Sequence, residues 1–133
     1  MAVAFDFSAN DDKIIRHALG QGNPQTQYLL LHIVESASAS LHGNESADYE
    51  TQKDREQLEL YVRHLVEKGY NAVAEIGYNK RVKEIARIVK ESQADLLVIG
   101  AHGHTTFHDI LYGQTVNAVR HELNIPVLVV TLK

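Results

Sequence analysis

Five short apolar runs, separated by segments with helical spacing, leave this chain few folds to choose from. The runs are "AVAFDF" (Ala2–Phe7), "YLLLHIV" (Tyr28–Val34), "NAVAEIG" (Asn71–Gly77), "DLLVIG" (Asp95–Gly100) and "PVLVVTL" (Pro126–Leu132). The second is too continuously apolar to have a wet face, which marks a strand covered on both sides. Between the runs, "KIIRHAL" sets Ile14, Ile15, Ala18 and Leu19 on one helical face, and Gly20, Gly22 and Pro24 close that helix. "SANDD" (Ser8–Asp12) supplies its helix-start residues. A charged amphipathic helix from about Tyr49 to Lys68 carries Leu58, Tyr61, Val62 and Leu65 inward, with Gly69 as its cap. "RVKEIARIVKES" places Val82, Ile85, Ile88 and Val89 at helical spacing, and a short helix follows around Thr115–Leu123. The stretch from Glu35 to Tyr49 is rich in Ser and Ala, lacks periodicity and reads as a long mobile loop.

Strands that alternate with helices form a parallel sheet with helices on both faces. The expected architecture is therefore an α/β, three-layer α/β/α sandwich of Rossmann-like type in one domain, 1–133. In such sheets ligands bind beyond the carboxyl ends of the strands, where strand order reverses. Asp6 and Gly100 end the first and fourth strands, and would face one crevice if those strands are neighbours.

Composition narrows the function classes. A net charge of −4 disfavours nucleic acid as the main partner. The absence of cysteine removes disulfides and thiolate metal sites. No apolar run is long enough to span a bilayer, and a cytoplasmic location is expected. The first strand starts almost at once, so the chain reads as a domain that could be cut from a longer protein.

The chemistry concentrates in "GAHGHTTFHDILYGQTVNAVRHELNIPVLVV". Its glycines Gly100, Gly103 and Gly113 can admit a ligand close to the backbone. Gly113–Gln114–Thr115 is expected to open the last helix, whose free N–H groups would attract an anion. Glycines that merely serve turns are the competing reading, and the two stand about even. The histidines His102, His104 and His108 could ligate a metal, but H-x-H-x3-H matches no specific metal motif, so no metal site is expected. His32 reads as a satisfied core histidine. There is no nucleophile elbow, Walker lysine or GxGxxG fingerprint, and no Lys or Arg lies between Gly100 and Gly113. Enzymatic activity beyond slow ATP hydrolysis is not expected.

The pattern Gly100-x2-Gly103-x9-Gly113, followed by a small helix and "IPVLVV", resembles the nucleotide-binding signature of the universal stress protein family. "AVAFDFS", "LLLHIVE" and "ADLLVIGAHG" resemble its first, second and fourth strands, so the likeness covers nearly the whole chain. The resemblance implies a five-stranded parallel sheet in order 3-2-1-4-5, of the adenine nucleotide alpha hydrolase-like kind. It implies ATP, ADP or AMP as ligand, with or without Mg, and a homodimer through the C-terminal strand 126–132. Carried over, Ala4, Phe5 and Asp6 would lie beside the adenosine, and Ile33 would face the base. Gly100, His102 and Gly103 would wrap the phosphates, with Gly113, Gln114, Thr115 and Val116 at their far end, and Ile99 would also belong to the nucleotide site. The family usually has Ser or Thr where Gln114 stands, which puts the hydroxyl contact to the last phosphate in doubt. An alternative is a nucleotide-free dimerisation module, since "HIVES" and "AVRHELNIPVLVV" resemble stress-protein domains fused behind Nramp-type divalent-metal transporters.

Overall fold

A computed structural model of the chain describes residues 1–35, 49–101 and 106–131. The elements run β1 (Ala2–Ala4), α1 (Asp11–Gln21), β2 (Gln27–Val34), α2 (Tyr49–Glu67), β3 (Asn71–Tyr78), α3 (Arg81–Glu91), β4 (Leu97–Ala101), α4 (Thr106–Glu122) and β5 (Val127–Thr131). The five strands form one sheet in the order β3-β2-β1-β4-β5, and every pairing is parallel. The strand order reverses at β1, which pairs with β2 on one side (Val3 opposite Leu30) and with β4 on the other (Ala2 opposite Leu97).

Alternation along the strands divides the core into two layers. Val3, Phe5, Tyr28, Leu30, Val98 and Val130 pack on one face with Ile14, Ala18, Leu58 and Leu65 of α1 and α2. Leu31, Ile33, Leu97 and Ile99 pack on the other with Ile85, Ile88 and Val89 of α3 and Val119 of α4. The three-layer α/β/α sandwich and its strand order match the expectation. So do the inward residues of α1 and α3, although Leu19 and Val82 are only partly buried. Gly69 takes φ +94°, and its N–H donates to Val66 O while Tyr70 N–H donates to Leu65 O. This is the left-handed cap expected at the end of α2.

Two boundaries differ from the sequence reading by more than two residues, and both lie at the carboxyl end of the sheet. β1 stops at Ala4 rather than Phe7. Phe5 N–H still donates to Leu31 O at 2.8 Å, but Phe7 adopts φ 60°, a left-handed turn that no glycine signals. The second difference is in α4, which begins at Thr106 and carries Gly113 in its interior. The amides of Gly113, Gln114 and Thr115 therefore lie within a helical run instead of opening one, which corrects the expected helix start at Thr115. The expected loop from Glu35 to Tyr49 falls almost wholly outside the described residues.

Candidate functional site

The turn after β1 is shaped by three short carboxylate and hydroxyl contacts. Ser8 N–H donates to Asp6 Oδ1 at 3.0 Å, Asn10 N–H donates to Ser8 Oγ at 3.2 Å, and Asp6 N–H donates to Asp11 Oδ1 at 3.3 Å. Together with the left-handed Phe7, they bend the chain away from the sheet and set Asp6 beside the end of β1. There a crevice of about 110 Å3 opens at the carboxyl ends of β1, β2 and β4. Ala4, Phe5, Asp6, Ile33, Ile99, Gly100 and Thr115 line it, all of them residues singled out from the sequence. Gln114 is exposed and Val116 packs against the α3–α4 side of the core; neither is part of this lining. His102 and Gly103 lie outside the described residues, as does His104, and His108 falls in the first turn of α4.

The crevice also contains residues that sequence reasoning did not assign to it. Leu31, Ile14 and Ile85 complete its apolar wall. Arg81, the first residue of α3, brings a guanidinium to the rim, and its Nε stands 3.2 Å from Glu35 Oε1 at the end of β2. Its place at a helix start gave no signal in sequence, because only the sheet order brings the start of α3 against Ile33. His32 also faces the site. Its Nδ1 is 2.8 Å from Phe5 O, and since a carbonyl only accepts, Nδ1 carries the hydrogen. Its Nε2 lies 3.4 Å from Asp54 Oδ2 on α2, and its ring packs on Phe7 with centroids 4.2 Å apart. His32 is thus a partnered core histidine, as expected, that ties α2 to the turn after β1.

Asp11 is the one charged residue type in this turn that is fully buried, at 0 % exposed. Burial, and next the Asp6 charge, raise its carboxyl pKa from the ordinary 3.8 to about 7. The sequence reading took Asp11 for an ordinary helix-start residue.

A larger depression of about 850 Å3 lies at the opposite end of the sheet, among Met1, Gln27, Leu96 and Pro126. It sits at the amino ends of the strands and far from the switch point, so its size does not make it the better site. Among the described residues no group of three or more His, Asp or Glu side chains is placed to hold a metal ion.

An open parallel sheet whose strand order reverses at β1 defines a doubly wound α/β protein. Residues 1–131 match the profile of the Universal stress protein family, and the chain belongs to that family. It is 29% identical over 90 residues to Universal stress protein MJ0577 of Methanocaldococcus jannaschii, an alignment covering 68% of this chain and 56% of that protein. The chain thus spans little more than half the length of this curated relative in that alignment. The solved structure of MJ0577 superposes with a TM-score of 0.79 at 24% identity, covering 99% of this chain and 96% of that one. The universal stress protein of Archaeoglobus fulgidus in complex with dAMP gives 0.70 at 19% identity over 96% of this chain and 94% of that one. A universal stress protein in complex with cAMP gives 0.62 at 19% identity over 97% and 93%. Among the described residues no helix is long and apolar enough to cross a membrane.

Proposed function

We propose that this chain is a regulatory domain that binds ATP or a related adenine nucleotide in the crevice at the carboxyl ends of β1 and β4. The observation that carries this reading is the meeting of Asp6 and Gly100 in one lining at the strand-order switch point. Ile33, Ile99 and Ile85 offer an apolar seat for the base, and Asp6 offers an acceptor for sugar hydroxyls. Gly100, without a Cβ, leaves room for phosphate next to the backbone. At about 110 Å3 the crevice is smaller than the roughly 300–1,000 Å3 of usual small-molecule sites. It is therefore a seat for the base, with the phosphates emerging past Gly100 toward the start of α4. The amides of Gly113–Val116 could hold phosphate only if α4 opened there, so the far end of the ligand is assigned to the amino end of α4 at Thr106. The two relatives solved with dAMP and cAMP support the ligand class. No step requires Mg.

The domain acts by changing an association surface when the nucleotide binds. That surface is the open edge of β5, where two copies of the strand 126–132 would pair. Val129 is 38% exposed there while Val130 is buried at 4%. Cytoplasmic residence belongs to this reading as its setting, while attachment to a divalent-metal transporter belongs to the alternative, a nucleotide-free dimerisation module.

Calorimetric titration with ATP, ADP, AMP and GTP tests the assignment. The expected result is saturable binding of the adenine nucleotides with GTP much weaker. Folded protein that gives no binding with any adenine nucleotide at millimolar concentration would overturn it.

A further inference from the structure

Helix α1 begins on an aspartate that does not behave like a helix-start residue. Asp11 is at the first helical position, where acidic side chains ordinarily face water and the unpaired amides. Here those amides have other partners: Asp11 N–H donates to Ser8 O, and Lys13 and Ile14 N–H both donate to Asn10 O. The Asp11 carboxyl instead turns inward and is fully buried. Its Oδ1 accepts the Asp6 N–H, and its Oδ2 is buried without a hydrogen-bond partner. An ionised carboxylate with an orphaned buried oxygen is strongly disfavoured. The Asp6 backbone bond to Oδ1 brings the two residues into contact, and after burial the Asp6 charge most disfavours ionisation of this group. Two ionised carboxylates cannot bond to each other, whereas one proton on Asp11 turns Oδ2 into a donor and removes the orphan.

We propose that Asp11 is a positioning residue of the crevice, a buried carboxylic acid whose proton is donated to the Asp6 carboxylate and holds Asp6 in place at the ligand. The role rests on the nucleotide reading above. The surroundings favour the neutral acid from each side. Asp6 faces Asp11 from the turn after β1, and its negative charge opposes a second one. From α2, the Tyr61 hydroxyl donates to the neighbouring Asp12 at 3.2 Å. On α1 itself, the Lys13 ammonium donates to Thr131 O of β5 at 2.7 Å. On β2, the His32 ring is engaged by Phe5 O and Asp54. Burial and Asp6 raise Asp11 to about 7, so the hydrogen bond is present in mildly acidic solution and is lost as the pH rises through neutrality. The crevice would then hold two like charges next to a polyanionic ligand.

The first measurement uses the ligand-free protein: carboxyl carbon-13 shifts of Asp6 and Asp11 followed against pH. Asp11 should titrate near 7, and Asp11→Leu should displace the Asp6 signal. A midpoint below 5 for Asp11 overturns the proposal. The same linkage appears in stability. Because the folded pKa lies above the ordinary 3.8, the unfolding free energy should fall as pH rises from about 4 to about 7. Asp11→Asn, which donates at every pH, should flatten that decline. The second measurement is binding of ATP, and of adenosine, which has no titrating phosphate, between pH 6 and 8. Wild-type affinity should drop about tenfold, the loss of one hydrogen bond to a charged group. Asp11→Asn should hold its affinity, and Asp11→Leu should bind weakly at all pH values with its circular dichroism intact. An Asn variant with the wild-type pH profile overturns the positioning role. Adenine nucleotides that fail to bind at any pH, while Asp11 titrates near 7 and Asp6 responds to its removal, refute the nucleotide reading and leave the hydrogen bond standing.

Discussion

Replacing Gly77 with alanine should destabilise the domain, while the same change at Gly20 should stabilise it. Gly77 sits in β3 opposite Ile33, on the face covered by α3. A Cβ built there would stand 2.6 Å from Ile33 Cδ1, 2.9 Å from Glu84 Oε2 and 3.1 Å from Ile88 Cδ1. The two methyls can rotate at modest cost, but Glu84 Oε2 is pinned. It accepts from Tyr78 N–H at 3.0 Å and from Arg87 Nη2 at 3.1 Å, and the Arg87 contact holds its carboxyl below the usual range. Overpacking of this kind costs about 1–3 kcal/mol. Moving Oε2 away would forfeit a hydrogen bond to a charged group, worth about 1.5–3 kcal/mol. The side chains will take the cheaper route, so the expected loss is about 1–3 kcal/mol. Gly20 lies within α1 with nothing within 4 Å of its Cβ position. There alanine removes the flexibility penalty of a helical glycine, a gain of about 0.5–1 kcal/mol. Urea unfolding reads both. With a slope of about 1–3 kcal/mol per molar, the Gly77 variant should shift its midpoint down and the Gly20 variant up, with slopes unchanged. Two shifts of the same sign would refute the packing argument. Because Ile33 also lines the crevice, the Gly77 variant should bind nucleotide more weakly even where it remains folded.

At the sheet edge, Val130→Lys should unfold the domain, since Val130 is core-facing. Val129→Lys should keep its circular dichroism and run as a monomer by light scattering; a monomeric wild type at micromolar concentration would sink the dimer. Gly113→Ala should stabilise the free protein by about 0.5–1 kcal/mol because the residue lies inside α4. If the nucleotide instead needs the helix to open at Gly113, the same variant should weaken binding in calorimetry by a matching factor.

The strands were legible because burial on both faces leaves an unmistakable apolar run, as in Leu29–Val34. The amphipathic helices were legible for the same reason, since one stripe must meet the sheet. What stayed hidden was whatever depends on neighbours distant in sequence. Arg81 reads as the start of a charged helix, and only the adjacency of β2 and β3 brings it to the crevice. Asp11 reads as a helix-start residue, and only the turn at Phe7 folds it beneath Asp6. The helix in Thr106–Tyr112 was missed because Gly113 invites a break, yet a single glycine costs a helix only about 1 kcal/mol. Ala4, Phe5, Asp6, Ile33, Ile99 and Gly100 come together in one crevice because a residue at a strand's carboxyl end keeps its place once the strand order is right.

That strand order also sets the sequence of events in folding. β1 is the central strand, and most of the chain separates it from β4, one of its two partners. The sheet cannot close at its middle until β4 has been made and has diffused home, and the entropy of that long loop is lost before the contact repays it. Until then β1 and β2 can pair with only one side of the centre covered, and the bare edge of β1 is open to any other strand nearby. The crevice is therefore among the last features to form, because its two walls arrive at different times.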